Sequence, residues 1–142
     1  MKLTKLRLSK DASNRLRFLA GRTGLTPNLL CRIGFCLSLA EPSLPNPDEY
    51  PEEEREFNRY TLLGEYDDLF VALLKERCRR DGVDLIKLPD YFRAHINRGV
   101  ILFQACVRSL GDIAVLLPRI DVPVASESTD ETSATTTHRE TK

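Results

Sequence analysis

Lys5, Arg7 and Lys10 follow one another at intervals of two and three residues, and Arg15, Arg17, Arg22 and Arg32 continue the series. Such side chains neutralise phosphates, and the counterions they release drive association with a polyanion. Thr26 and Asn28 flank Pro27 at what reads as the start of a helix, where unpaired backbone amides favour an anion. Phosphate binding is therefore the first chemistry to consider.

Other chemistries are less well supplied. Glu65, Asp67 and Asp68 could form a metal-binding carboxylate cluster, with His95 as a general base. However, Asp67 and Asp68 are adjacent and diverge on a helix, and His95 sits among apolar and basic neighbours, as a core or interface histidine does. Sulfur transfer would need a thiolate. Cys31 and Cys36 lie mid-helix among hydrophobes, where a thiolate is disfavoured. Cys78 and Cys106 also fall in apolar-periodic stretches, so all four cysteines read as small free hydrophobes. There is no CxxC, no zinc-finger spacing and no glycine-rich phosphate loop. The expectation is a chain with no catalytic residue, no metal and no cofactor.

The 142 residues suffice for one domain with a tail, and 42% hydrophobic with 30% charged is a globular balance. No apolar run approaches the ~20 residues that span a bilayer. The N-terminus lacks the apolar core of a signal peptide, so a soluble cytoplasmic protein is expected. The formal net charge of zero hides two opposed fields. Residues 1–32 carry eight basic side chains against Asp11 alone, whereas residues 41–68 carry ten acidic ones against Arg55 and Arg59. A basic end is a footprint for a polyanion. Charge alone leaves open the alternative that the acidic stretch simply covers the basic one.

The elements that must position these residues can be read from periodicity. Residues 2–8, KLTKLRL, alternate as a strand, with Leu6 and Leu8 on one face and Leu3, Lys5 and Arg7 on the other. The strand needs a partner from elsewhere in the chain or from a second copy. Leu3 is an apolar residue on the otherwise basic face, which suggests that the true start of the strand is displaced. Ser9 caps a first helix carrying Ala12, Leu16, Leu19 and Ala20, stopped by Gly21 and Gly24. Thr26-Pro27 opens a second helix to about residue 39. The four prolines of EPSLPNPDEYPEEEREF predict an extended connection, with a short helix possible in the acidic run 52–56. A helix over residues 67–80 puts Leu69, Phe70, Leu73, Leu74 and Cys78 on its apolar side and ends at Asp81-Gly82. The last long helix runs from Pro89 to about residue 110. Gly99 inside it is unfavourable by about 1 kcal/mol relative to alanine, which suggests close packing against another helix or chain. A further turn is expected over residues 112–117, and residues 126–142, without a large hydrophobe, read as disordered. The resulting division is a DNA-binding module at 1–40, an acidic proline-rich connection at 41–64, a helical oligomerisation or partner region at 65–118, and a tail at 119–142.

A basic strand, a helix, a glycine-containing turn and a Thr-Pro helix start together resemble the ribbon-helix-helix module. In that fold two chains each lend a strand to a ribbon that fits the major groove. The expected fold class is thus mainly α, with a ribbon-helix-helix-like start, C-terminal helices and an oligomeric assembly. A narrower resemblance extends to about residue 117. The stretches RLSKDASNRLRFLAGRTGLTPNLLCRIGFCLSL (7–39), EYDDLFVALLKERC (65–78) and FRAHINRGVILF (92–103) are similar to the DndE family of DNA sulfur modification proteins. That resemblance implies the small non-catalytic member of a phosphorothioation system. It implies a homo-tetramer that binds double-stranded DNA, nicked DNA in particular, beside a cysteine desulfurase and the enzymes that place sulfur on the DNA backbone.

The candidate DNA contacts are Lys5, Arg7, Lys10, Arg15, Arg17, Arg22, Thr26, Asn28 and Arg32. Three readings follow: a DNA-binding subunit of a phosphorothioation complex, a ribbon-helix-helix repressor, and a protein scaffold within the modification complex.

Overall fold

In the computed structural model, which describes residues 1–108 and 110–116, eight elements surround one apolar cluster. In chain order they are β1 (Lys5–Arg7), α1 (Lys10–Thr23), α2 (Pro27–Ala40), β2 (Glu56–Asn58), α3 (Arg59–Leu63), α4 (Asp67–Arg80), α5 (Leu88–Cys106) and α6 (Leu110–Leu116). The protein is mainly helical with a single two-stranded sheet among the described residues.

Local chemistry sets most boundaries. The Ser9 hydroxyl accepts from the Ala12 amide at 3.2 Å at the head of α1, and Gly24, at φ 71°, closes it in the left-handed conformation. Gly21 does not stop this helix and lies inside it. Thr26 caps α2 and Pro27 occupies its first position. α4 spans the expected residues and ends at Asp81 before Gly82, also at positive φ. α5 stops at Cys106, four residues short of expectation.

β1 pairs antiparallel with β2 of the same chain, in the register Lys5↔Asn58, Leu6↔Phe57 and Arg7↔Glu56. This differs from a ribbon-helix-helix start, where the partner strand comes from a second copy. The reason is apolar pairing: Leu6 and Phe57 face each other and are both buried. The acidic run accordingly ends in a strand instead of starting a helix. The ribbon begins at Lys5, so Leu3 lies outside it and packs against the core.

α2 and α5 form the centre of the molecule. Gly34 meets Gly99, and four residues on, the Ser38 hydroxyl reaches His95, so the helices run antiparallel. A Cβ built on Gly99 would overlap the carbonyl of Gly34, and one on Gly34 would lie 2.8 Å from the Gly99 carbonyl carbon. The close packing inferred from Gly99 is met by another helix of this chain. Phe35 fills the space beside this crossing, its ring centroid 5.4 Å from Phe70 and 5.7 Å from Phe92.

The connection from α2 to β2 holds one short 3-10 turn, Pro47–Glu49, and three arginines pin its carbonyls. Arg77 donates to the carbonyls of Leu39 (2.6 Å), Pro42 and Ser43, while its Nε pairs with Asp81. Arg98 donates to the Ser38 and Ser43 carbonyls, and Arg93 to those of Tyr50 and Pro47. α2 has no C-terminal glycine, and these guanidiniums satisfy its last carbonyls instead.

Two expectations about burial need correction. Leu69 and Leu73 do not face the core: they are 54% and 40% exposed, because Phe70, Leu74 and Cys78 take the inward positions of α4. Cys36 and Cys106 are exposed, and only Cys31 and Cys78 are buried. The segment 119–142 lies outside the described residues.

Candidate nucleic-acid interface

α1 sets out its side chains in two sectors. Ala12, Leu16 and Leu19 point into the core, and Lys10, Asp11, Asn14, Arg17, Phe18, Gly21 and Arg22 form the exposed sector, with Asp11 engaged by Arg15. At 1.5 Å per residue, the 14 residues of α1 extend this sector over about 20 Å. Of the nine candidate residues, Lys10, Arg17 and Arg22 stand in this sector, Arg15 is half-buried beside it, and the other five lie on β1 or at α2.

Their electrostatic situations differ. Lys5 lies 3.4 Å and Arg7 3.7 Å from the two carboxylate oxygens of Glu56. The Arg15 Nε donates to Asp11 at 3.0 Å, and its Nη1 donates to the Gln104 side chain at 2.7 Å. Arg22 lies over the exposed Phe18 ring, 5.0 Å from its centroid. The side chains of Lys10, Arg17 and Arg22 have no acidic partner among the described residues, although the Lys10 backbone amide donates to Glu53. Thr26 is exposed and accepts from the Leu29 amide at 3.4 Å, completing the cap of α2, and Asn28 is half-buried beside it. Arg32 is turned to another task. Its Nε donates to the Leu62 carbonyl at 2.6 Å, fastening α3 to α2.

Four residues outside the nine candidates adjoin this face. Phe18, Arg22, Gln104, Ala105 and Arg108 line an open groove of about 340 Å³. Arg108 falls within the span expected for the last helix, but α5 ends before it and leaves it exposed. Phe18 could have been noticed as the one aromatic at a non-core position of α1.

The alternative chemistries have structural fates of their own. Asp67 takes both Nε and Nη2 of Arg59 at 2.7 Å, and Arg59 further donates to the carbonyls of Met1 and Leu3. The hydrogen bonds from Arg59 hold the Asp67 carboxyl below the usual range. No group of three metal-ligating side chains occurs among the described residues. Burial pushes the Cys31 thiol up to about 12 and Cys78 up to about 11. His95 is buried; its Nδ1 lies 2.8 Å from the Ser38 hydroxyl, and its Nε2 has no partner among the described residues. Burial, with Arg98 and Arg77 nearby, lowers it to about 4.

A second surface is apolar. Leu29, Arg32, Ile33, Cys36, Tyr66 and Phe70 line a shallow, largely apolar groove between α2 and the start of α4. Leu69 and Leu73 are exposed on the same helix α4. No helix among the described residues is long and apolar enough to cross a membrane.

The chain is thus a small, mainly helical protein with one short ribbon packed on an antiparallel helix crossing. The family model of the DNA sulphur modification protein DndE matches residues 5–109, and the chain belongs to that family. Among solved structures it is similar to DndE from Escherichia coli B7A, described as involved in DNA phosphorothioation modification. That chain is 25% identical, with a TM-score of 0.59, over 71% of this chain and 96% of that one. It is also similar in fold to a DndE variant with two glycines changed to lysine, involved in DNA phosphorothioation. There the identity is 20% and the TM-score 0.57, over 72% of this chain and 98% of that one. A comparison with curated proteins gives no match.

Proposed function

We propose that this chain is a non-catalytic, DNA-binding subunit of a DNA phosphorothioation complex, working as a homo-oligomer beside the sulfur-transferring enzymes. The observation that carries the reading is the exposed sector of α1, where Lys10, Arg17 and Arg22 stand along about 20 Å of helix without acidic partners. Phosphates need cations that are free to exchange counterions, and these are free. The face offers few groups for reading base edges, so binding tolerant of sequence is expected.

The test is a salt titration of fluorescence anisotropy on intact, nicked and unrelated duplexes. Binding should fall steeply with salt and vary little with sequence. Changing Arg17 and Arg22 to alanine together should lower the slope of log K against log salt by about 2. Equal binding by this double variant would place the DNA surface elsewhere, and no binding to any duplex would end the reading.

The apolar strip between α2 and α4 supports a second reading, that of a scaffold whose partner there is another copy of this chain. Leu69 and Leu73 extend the exposed apolar surface of α4, and an apolar face of this kind is what a two-fold contact between copies buries. Changing Leu69 and Leu73 to glutamate should lower the mass found by light scattering toward the 16.1 kDa of one chain. An unchanged mass would remove the strip from the assembly.

A further inference from the structure

We propose that strand β2 carries a built-in competitor for phosphate, with Glu56 occupying Lys5 and Arg7 so that the ribbon is withheld from DNA. The proposal rests on the DNA-binding reading above and concerns what limits that binding.

The geometry is specific. The β1–β2 register sets Arg7 directly opposite Glu56, on the outer face of the ribbon, while Leu6 and Phe57 hold the inner face to the core. One carboxylate oxygen lies 3.4 Å from Lys5 Nζ and the other 3.7 Å from Arg7 Nη2. A single carboxylate thus bridges two cations through two oxygens, as a phosphodiester would with its two non-bridging oxygens. The bridge does not depend on a loose side chain meeting a loose segment. The Leu8 amide donates to the Arg55 carbonyl at 2.8 Å, and the Glu53 and Glu54 amides donate back to the Leu8 carbonyl. These bonds extend the pairing beyond the ladder and keep the acidic strand in place. Glu53 also reaches the start of α1, accepting from the Lys10 backbone amide at 3.1 Å.

Exposed ion pairs of this sort contribute little to stability in water. Their effect on binding is larger. A phosphate approaching Lys5 or Arg7 must displace Glu56 or sit beside its negative charge, and fewer counterions remain on the ribbon to be released. DNA consequently engages α1, where Lys10, Arg17 and Arg22 are free, and the ribbon joins only when Glu56 is neutralised or moved.

The experiment compares full-length Glu56→Gln with Glu76→Gln, which removes one exposed carboxylate from α4, away from the ribbon. Glu56 is on the surface, so both variants should fold, and their unfolding midpoints check this. With a labelled intact duplex at low salt, E56Q should bind roughly fivefold more tightly and with a slope against salt steeper by about 1. E76Q frees Arg79 and Arg80 from their carboxylate as E56Q frees Lys5 and Arg7, but away from the ribbon, and should change affinity less than twofold. Adding Lys5→Ala and Arg7→Ala to E56Q should abolish the gain. If E56Q merely matches E76Q while the wild type binds through Arg17 and Arg22, the competitor is absent and the DNA-binding reading stands. If no variant binds any duplex, both fall.

Discussion

His95 shows how a single side chain can carry a signal that a sequence leaves ambiguous. Its ring sits 6.1 Å from Phe35, shares its Nδ1 with Ser38, and leaves Nε2 without a partner among the described residues. Arg98 donates its Nε to the same Ser38 oxygen, so a charged imidazole would face both burial and a neighbouring cation. The folded protein therefore keeps the ring neutral down to about pH 4, whereas the unfolded chain protonates it near 6.5. Above 6.5 both states are neutral and the full stability is present. As the pH falls from 6.5 toward 4, the unfolded state takes up a proton that the folded state refuses, and stability drops. The loss should approach about 3 kcal/mol in total and then level off as far as this group is concerned. Urea unfolding midpoints at pH 7, 6, 5 and 4.5 measure it. His95→Gln should flatten the profile in that window, and an equally steep profile would assign the loss to other groups.

At the scale of elements, the crossing of α2 and α5 is the most constrained feature. Gly99→Ala must push the helices apart, because the new methyl would meet the backbone of Gly34 and not a side chain that can swing away. A loss of about 2–3 kcal/mol is expected, with a matching fall in melting temperature. Gly21→Ala is the contrasting case. It lies in the helix α1, has no atom within 4 Å of the added methyl and has no positive φ, so it should stabilise by about 0.5–1 kcal/mol. If both variants lost stability equally, the crossing would not be the reason. Gly99 was legible in the sequence because a glycine interrupts an otherwise apolar helical pattern. The caps at Ser9 and Thr26 and the span of α4 were legible for a similar reason: each depends on neighbours within a few residues. β2 was not, since its three residues follow a run of glutamates and only Phe57 faces inward. Its pairing with β1 is set by a contact about fifty residues away in sequence, which local pattern cannot disclose. The candidate site was legible as a set of residue types. What the sequence could not show is which cations are already paired, because that depends on where Glu56, Asp11 and the Leu62 carbonyl come to lie.

For the molecule as a whole, zero net charge is reached with the acidic connection laid against the basic N-terminal end, and that arrangement persists only while the connection is held down. Arg93 is the clamp nearest to it. Its Nε donates to the Tyr50 carbonyl at 3.1 Å and its Nη2 to Pro47, while Nη1 lies near both Glu52 and Asp90. An extended, proline-rich stretch has almost no hydrogen bonds of its own, so these contacts substitute for the ladder or helix that other segments possess. Arg93→Met keeps the aliphatic stem and removes the donors. Carbonyls of Tyr50 and Pro47 can then turn to water, so the global loss should be modest, about 1–2 kcal/mol. The local consequence should be larger, because opening of this segment no longer breaks those bonds. A glutamate-specific protease should cut the variant after Glu49, Glu52, Glu53 or Glu54 several times faster than the wild type, at temperatures well below unfolding. Cutting at the same rate would mean that the β1–β2 pairing alone holds the segment. The same variant then bears on binding: an acidic stretch freed at its α5 end but still paired at β2 should leave the DNA affinity of the ribbon nearly unchanged. Glu56 is fixed by strand pairing and Arg93 is not part of it.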